Sequence, residues 1–199
     1  GILKTHYHPN DIPASRNGKK KYVTVKDAIG DLPSLKPGEG VSITKYRPTL
    51  SNDFIKRIRS KEQEVLLDHV SRTHNESDRQ RYKTMSKNKW TFKELLEKKP
   101  ELNHAKQRVF NNSYVVQWWD LPSKTIIAHL YKDGNQFIHP DHKQERSITA
   151  REAARLQSFP DDFVFEGSRT QQYKQIGNAV PPLMAEAIAK SLKKVLDTL

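Results

Sequence analysis

Residues 146–161 of the chain read RSITAREAARLQSFPD, and this stretch gives the clearest structural prediction in the sequence. Thr149 comes directly before an alanine-rich run, and Glu152 follows it by three residues. This is the spacing of a capping box, in which the two side chains bind free backbone amides at the start of a helix. A helix is therefore predicted over 150–158, and Pro160 ends it because proline has no amide proton to donate.

Arg151 and Arg155 lie four residues apart in this predicted helix, so they occupy one face of it. Guanidinium groups at such positions can bind carboxylates or phosphates between two domains. The pattern by itself favours a simpler interpretation, a helix face that is exposed to solvent.

A second stretch, residues 175–182, reads QIGNAVPP. Gly177 permits a tight turn, the Asn178 amide is both donor and acceptor, and the two prolines suit the start of a helix. A helix is predicted over 183–199, with apolar residues on one side and lysines on the other. We expect the apolar side to be exposed unless another domain packs against it. That side consists of Leu183, Met184, Ala187, Ile188, Leu192, Val195 and Leu196.

Together, the two stretches resemble the last two signature motifs of the DNA cytosine-5 methyltransferases, in the order and spacing that this family uses. Looser similarity covers 27–33, 122–126 and 138–140, so the resemblance extends over nearly the whole chain. The divergent middle, 37–113, falls where the family keeps its variable target recognition domain. The chain thus resembles the C-terminal part of such an enzyme.

The resemblance implies an α+β fold in three parts. Residues 1–35 would be a linker from the catalytic domain, 36–145 a small mixed target recognition domain, and 146–199 the C-terminal motifs and helix. This last part would complete an α/β catalytic domain that the sequence lacks. The implied function is recognition of double-stranded DNA in a cytosine-5 methyltransferase, whose full enzyme flips the target cytosine out of the duplex.

The resemblance also implies roles for individual residues. It places the cofactor, S-adenosylmethionine, against Asn178, Ala179 and Val180. A second group would hold the recognition domain against the catalytic domain and take no part in the chemistry. This organising group consists of Arg146, Thr149, Arg151, Glu152 and Gly177.

No catalytic residue is expected in this chain. The family attacks cytosine with a cysteine and carries its cofactor over a glycine-rich turn. The sequence contains no cysteine and no glycine-rich stretch after a predicted strand. We therefore expect the chain alone to be inactive, and to work with a catalytic domain or larger subunit, as a fragment or as the smaller subunit of a split enzyme. No metal is expected.

Lysine and arginine total 35 against 23 acidic residues, which gives a net charge of +12. Such an excess favours a polyanionic partner, because each phosphate contact releases counterions. Residues 73–89 are almost free of apolar side chains, which predicts a loop, and its basic cluster suits contacts to phosphates and base edges. A charged loop that only aids solubility is the alternative. The predicted DNA-binding residues are Arg72, Arg79, Arg81, Lys83 and Lys87.

Apolar spacing and turn residues predict the remaining elements. They are helices over 25–29, 54–72 and 90–98, a strand within 37–49, β-rich runs over 114–119, 125–131 and 136–138, and a hairpin turn at 133–134.

The alternative interpretation is a stand-alone DNA-binding or nuclease protein that keeps methyltransferase-like motifs as a scaffold. His69, His74 and Asn75 faintly resemble the HNH metal nucleases, but further ligands at a definite spacing are not evident. No apolar run approaches the about 18 residues of a membrane span, and no secretion signal is evident. A cytoplasmic protein with no membrane partner is therefore expected.

Overall fold

The computed structural model describes residues 22–46, 52–60, 62–103 and 113–198. Within these ranges short helices surround one small antiparallel sheet, a mixture of helix and strand as the sequence predicts. The elements are α1 (Val25–Ile29), β1 (Gly40–Lys45), α2 (Asp53–Ile58), β2 (Val65–Val70), α3 (Glu76–Asn88), α4 (Phe92–Lys98), α5 (Ala150–Leu156), α6 (Arg169–Asn178) and α7 (Pro182–Leu196), with 3₁₀ turns at Pro100–Leu102 and Ala128–Tyr131.

Strands β1 and β2 pair antiparallel, with Gly40 opposite Val70. β2 packs on helix α5 and buries Leu66 and His69, whereas most of β1 is exposed. The helix predicted over 54–72 is therefore wrong in its second half. The helical conformation ends after α2, where the backbone of Arg59 is extended. The apolar run that follows forms β2, whose backbone hydrogen bonds are made with β1.

The stretch 73–89, predicted as a loop, is occupied mainly by helix α3. Asn75 caps this helix by accepting a hydrogen bond from the Asp78 amide at 2.8 Å. Tyr82 and Met85, three residues apart on one face, are both 1% exposed and anchor an otherwise polar helix. The prediction failed because two buried residues give too little apolar periodicity to recognise.

The predicted β-rich runs form no regular strand within residues 113–198. Only isolated bridges occur there, from Val116 to Ile138 and from Ile138 to Ser147. The predicted turn is present without its hairpin: Gly134 has a φ of +79°, and its carbonyl accepts a hydrogen bond from the Phe137 amide at 2.8 Å. These segments serve to fill space between helices rather than to build a sheet.

Two main apolar clusters hold the fold together. The larger joins α5 and α6 to the segment that contains Leu130 and Phe137. The second joins α3 and α4 to Val116 and Ile138. The two clusters therefore connect the region of the divergent middle to the motif-bearing helices through the segment between α4 and α5.

Candidate functional site

Helix α5 starts in the capping box that the sequence predicts. The Thr149 hydroxyl accepts a hydrogen bond from the Glu152 amide at 3.1 Å, and the Glu152 carboxylate accepts one from the Thr149 amide at 2.7 Å. The same carboxylate accepts hydrogen bonds from both terminal nitrogens of Arg146, each at 2.7 Å. These residues are at most 1% exposed, so they form one buried unit at the start of the helix.

Arg151 is buried as well, so the solvent-exposed helix face that the pattern favoured is wrong. Its Nε donates to the carbonyl of Leu67 in β2 at 2.9 Å, and its Nη2 donates to the carbonyl of Phe163 at 2.9 Å. The guanidinium also lies 3.7 Å from the carboxylate of Asp68. Arg151 therefore ties the small sheet to α5 and to the segment before α6.

Arg155 centres a second buried network. Its Nε and Nη2 donate to the two carboxylate oxygens of Asp161 at 2.9 and 2.7 Å, and its Nη1 pairs with Asp31 beside α1. Tyr46, directly after β1, also donates to Asp161, at 2.7 Å. Burial alone lowers the pKa of Arg155, but the hydrogen bonds and charges of Asp161 and Asp31 outweigh it and raise that pKa. The network fixes α1, the end of β1 and the turn after α5 relative to one another.

A neutral histidine lies beside the carboxylate of the capping box. His139 Nε2 is 3.5 Å from Glu152 Oε1, and its Nδ1 accepts a hydrogen bond from the Asp141 amide at 3.1 Å. Burial, followed by the charge of Arg146, lowers the pKa of His139 to about 3. Burial raises the pKa of Glu152, but the charge of Arg146 outweighs it, and the net pKa is lowered. The site thus holds an uncharged imidazole against an ionised carboxylate.

Acid should destabilise the protein through His139. Its folded-state pKa of about 3 lies below the ordinary value of 6.5, so its stabilising contribution is fully present above pH 6.5 and is lost as the pH falls towards 3. Between these values this group should lower the free energy of unfolding by up to about 1.4 kcal/mol per pH unit. Urea unfolding followed by tryptophan fluorescence, repeated from neutral to acid pH, measures this slope.

Two histidine variants make that measurement specific. The variant His139→Gln should unfold with a shallower pH dependence than the parent protein, because the titrating group is gone. The variant His129→Gln, at an exposed position, should keep the parental slope. An unchanged slope in His139→Gln would show that the pKa of this histidine does not differ between the folded and unfolded states.

Gly177 is needed for packing and not for the turn that the sequence predicts. Gly177 and Asn178 are the last residues of α6, and a Cβ at Gly177 would stand 2.4 Å from the backbone nitrogen of Ala128. Only glycine lets the two backbones approach this closely. The predicted cofactor-binding residues lie at the corner between α6 and α7, where Asn178 and Val180 are exposed and Ala179 is half-buried.

Helix α7 carries an exposed apolar side, as expected for a helix on which no other domain packs. It contains no buried residue. At its start the Leu183 amide donates to Ser158 Oγ at 3.1 Å, and Glu186 forms an exposed ion pair with Arg57 at 3.4 Å. The exposed apolar residues are Met184, Ile188, Leu192, Val195 and Leu196. None of the helices in the described ranges has the length and apolar character to span a membrane.

Two of the residues predicted to bind DNA are buried within the described part of the chain. Arg72 is 6% exposed and donates to the backbone carbonyls of Leu130 and Lys132. Arg81 is 5% exposed; its guanidinium donates to the carbonyl of Leu102 at 2.7 Å and forms an ion pair with Asp78. The hydrogen bonds of both guanidinium groups stabilise the fold. The prediction of a loop over 73–89 gave no indication of this role.

The other three predicted DNA-binding residues share one face of α3. Arg79, Lys83 and Lys87 are spaced by four residues, so the helix aligns them. Arg79 and Lys83 both pair with Glu145, at 2.7 and 2.8 Å, and Lys87 is exposed. The structure therefore brings these three together on a rigid element.

A cleft of about 300 Å³ opens between the first turns of α3 and α6. Arg72 and Tyr173 lie on its buried side, and the exposed residues Lys132 and Arg169 border it. Sequence reasoning missed Lys132 and Arg169 because each is an isolated basic residue in its own stretch. Only the fold brings them to one place.

The histidines that resemble a nuclease motif have other partners. The ring nitrogens of His69 lie 3.1 Å from Thr149 Oγ1 and 2.8 Å from the carbonyl of Pro33. His74 Nε2 accepts a hydrogen bond from the Ser147 amide at 3.2 Å. Across the ranges for which coordinates are described, no group of three or more potential ligands could hold a metal ion. The geometry gives the HNH interpretation no support.

Comparison with known proteins agrees with the resemblance of the two motif stretches. A family model for the C-5 cytosine-specific DNA methylases matches residues 1–194. The type II methyltransferase M.Bpa9945I of Bacillus paralicheniformis is 38% identical in an alignment 183 residues long that covers 88% of this chain and 41% of that protein. DNA (cytosine-5)-methyltransferase 2 of Arabidopsis thaliana is 36% identical in an alignment 193 residues long that covers 87% of this chain and 12% of that protein.

The fold is also similar to that of a solved structure. A prophage-encoded DNA modification methyltransferase from E. coli matches with a TM-score of 0.60 at 24% identity, over 90% of this chain and 49% of that structure. The chain spans less than half the length of the first curated relatives that it matches. Because the family model covers nearly the whole sequence, the chain belongs to the C-5 cytosine-specific DNA methylase family.

Proposed function

We propose that the chain supplies target recognition on double-stranded DNA and the last two motifs of a DNA cytosine-5 methyltransferase, and that it completes the catalytic domain of that enzyme. The observation that carries this proposal is the exposed apolar side of α7. Leu192, Val195 and Leu196 are 49%, 56% and 68% exposed, and such a row on a helix marks a missing packing partner.

The partner that fits this side is the catalytic part of such an enzyme. Curated relatives are more than twice as long as the segment that this chain matches in them, so they contain further sequence against which α7 can pack. The proposed domain division keeps residues 36–145 for recognition and 146–199 for this packing. The buried networks of Arg146, Arg151 and Arg155 support an organising role, since each connects α5 to a different part of the chain.

S-adenosylmethionine is the methyl donor of the C-5 DNA methyltransferases. We assign Asn178, Ala179 and Val180 to one edge of its site. The exposed corner between α6 and α7 fits this assignment, because the Asn178 amide can donate and accept hydrogen bonds there. The remainder of the cofactor site would come from the catalytic part.

The outer face of α3, which carries Arg79, Lys83 and Lys87, is the surface that we propose for DNA contact. Arg72 and Arg81 are buried, so we do not propose them as direct contacts to bases or phosphates. Replacing them with alanine would remove hydrogen bonds to backbone carbonyls and so destabilise the fold.

A chimera tests whether this chain completes a methyltransferase. It joins the part of M.Bpa9945I that precedes the matched segment to the 199-residue chain. We expect this chimera to transfer labelled methyl groups to duplex DNA, because the α7 side and the α6–α7 corner regain their partners. The variant Leu192→Asp should abolish transfer by placing a charge in the interface, whereas Lys193→Asp on the polar side should be tolerated.

The chimera also separates the proposal from its alternative. A chimera that folds and binds duplex DNA but transfers no methyl group would contradict the proposal. Equal activity of the Leu192→Asp and Lys193→Asp variants would show that the apolar side of α7 is not the interface.

A further inference from the structure

The cleft between α3 and α6 collects positive charge that the rest of the protein does not neutralise. Lys132 and Arg169 border it, and Arg72 lies beneath them. Among the described residues, neither Arg72 nor Arg169 forms an ion pair, although every other described arginine does. Those other arginines are Arg57, Arg59, Arg79, Arg81, Arg146, Arg151 and Arg155.

Neutral groups hold the two unpaired arginines in place. Arg72 donates to the backbone carbonyls of Leu130 and Lys132, and its guanidinium lies 4.1 Å from the ring centre of Tyr173. Arg169 Nη1 donates to the carbonyl of Ser71 at 3.3 Å. These contacts fix the side chains but leave their charges uncompensated, and Arg72 Nε is buried without a hydrogen-bond partner.

The two acidic residues at the cleft do not cancel this charge. Asp78 Oδ1 accepts hydrogen bonds from Arg81 and Tyr114 at 2.8 and 2.7 Å, and its Oδ2 accepts one from Asn75 at 2.8 Å. Asp133 Oδ1 accepts a hydrogen bond from the Asn135 amide at 3.0 Å. Asp78 therefore faces Arg81 and not the three cleft cations, while Asp133 is the only carboxylate left to offset them among the described lining residues.

His74 also lines the cleft, and its pKa is lowered there. Burial, followed by the charge of Arg72, lowers its pKa to about 4. The ring is therefore neutral at physiological pH, and its Nε2 accepts a hydrogen bond from the Ser147 amide. An anion in the cleft would therefore be attracted by the lysine and arginine charges, while the neutral His74 adds no charge of its own.

We propose that this cleft binds one phosphate group of the DNA backbone, with Lys132 and Arg169 as direct contacts and the buried charge of Arg72 beneath them. The inference rests on the proposed function, because it takes duplex DNA as the source of the phosphate. A phosphate is the fitting ligand since Arg and Lys side chains bind it with charge-assisted hydrogen bonds. Such a contact fixes the position of the duplex and reads no sequence.

The test compares duplex binding by the whole 199-residue chain and by two matched double variants. Lys132→Ala with Arg169→Ala removes the direct contacts, and Lys26→Ala with Arg57→Ala removes one lysine and one arginine elsewhere on the surface. Affinity is measured by fluorescence anisotropy over a range of salt concentrations on several duplex sequences. Circular dichroism checks that both variants keep the parental fold.

The cleft variant should bind every duplex more weakly to a similar extent. Its plot of log affinity against log salt concentration should be less steep by about 1, the loss of one phosphate contact. The control variant should keep a steeper slope than the cleft variant. Equal slopes in the two variants would overturn the inference while leaving DNA binding by the chain intact.

Two further outcomes separate the sources of phosphate and the two proposals. If the binding of inorganic phosphate, followed by ³¹P NMR, depends on Lys132 and Arg169 while the duplex slope does not, the DNA backbone is rejected as the ligand. If the parental chain binds no duplex at all, the proposed function itself fails and the inference fails with it.

Discussion

Purified alone, the 199-residue chain is expected to transfer no methyl groups to DNA. The family's reaction begins with addition of a cysteine thiolate to cytosine, and this chain contains no cysteine. Loss of a covalent nucleophile lowered kcat by on the order of 10⁶ in a serine protease. Incorporation of labelled methyl groups by this chain should therefore equal the no-protein blank.

The chimera with the N-terminal part of M.Bpa9945I is the positive control for this experiment. Both assays contain the same DNA, the same cofactor and the same 199-residue sequence. They differ only in the catalytic part that the chimera adds. Incorporation above the blank by the chain alone would mean that another group acts as nucleophile, and the assignment of an organising role to the chain would be wrong.

Elements specified by local sequence could be predicted, and elements specified by distant contacts could not. The capping box at Thr149 and Glu152 lies within four residues of sequence, and α5 begins where it indicates. By contrast, β2 depends on pairing with β1. The spacing of its apolar residues fits a helix equally well, so the sequence alone does not distinguish the two. Helix α3 was not predicted because Tyr82 and Met85 are the main apolar residues that it buries, and two such residues give too little periodicity to recognise.

The same distinction applies to the candidate site. The resemblance implied an organising role for Arg146, Arg151 and Glu152, but their burial depends on partners far away in sequence. Arg151 donates to Leu67, 84 residues away, and no local pattern reports such a contact. The cleft around Lys132 and Arg169 was missed for the same reason, since its lining comes from separate segments of the chain.

The burial of the arginines also changes what mutation of the motif should do. An exposed arginine on a helix would contribute through weak surface ion pairs, which are worth about 0–1 kcal/mol. A buried arginine between carboxylates contributes differently, because its removal leaves charges that water cannot reach. The organising role of this motif is therefore testable as stability, independently of any activity.

Replacement of Arg155 by methionine should lower the free energy of unfolding by about 3–5 kcal/mol. The variant keeps most of the apolar stem but leaves Asp161, which is 0% exposed, without its ion-pair partner, and it leaves Asp31 only the 3.4 Å ion pair with Arg59. Urea unfolding followed by tryptophan fluorescence measures the loss.

The matched variant Arg57→Met, at the exposed ion pair with Glu186, should lose less than about 1 kcal/mol. Adding Asp161→Asn to Arg155→Met should recover part of the loss, because one unpaired carboxylate is removed with it. A loss for Arg155→Met no greater than that for Arg57→Met would show that the Arg155 network does not hold α1 and α5 together.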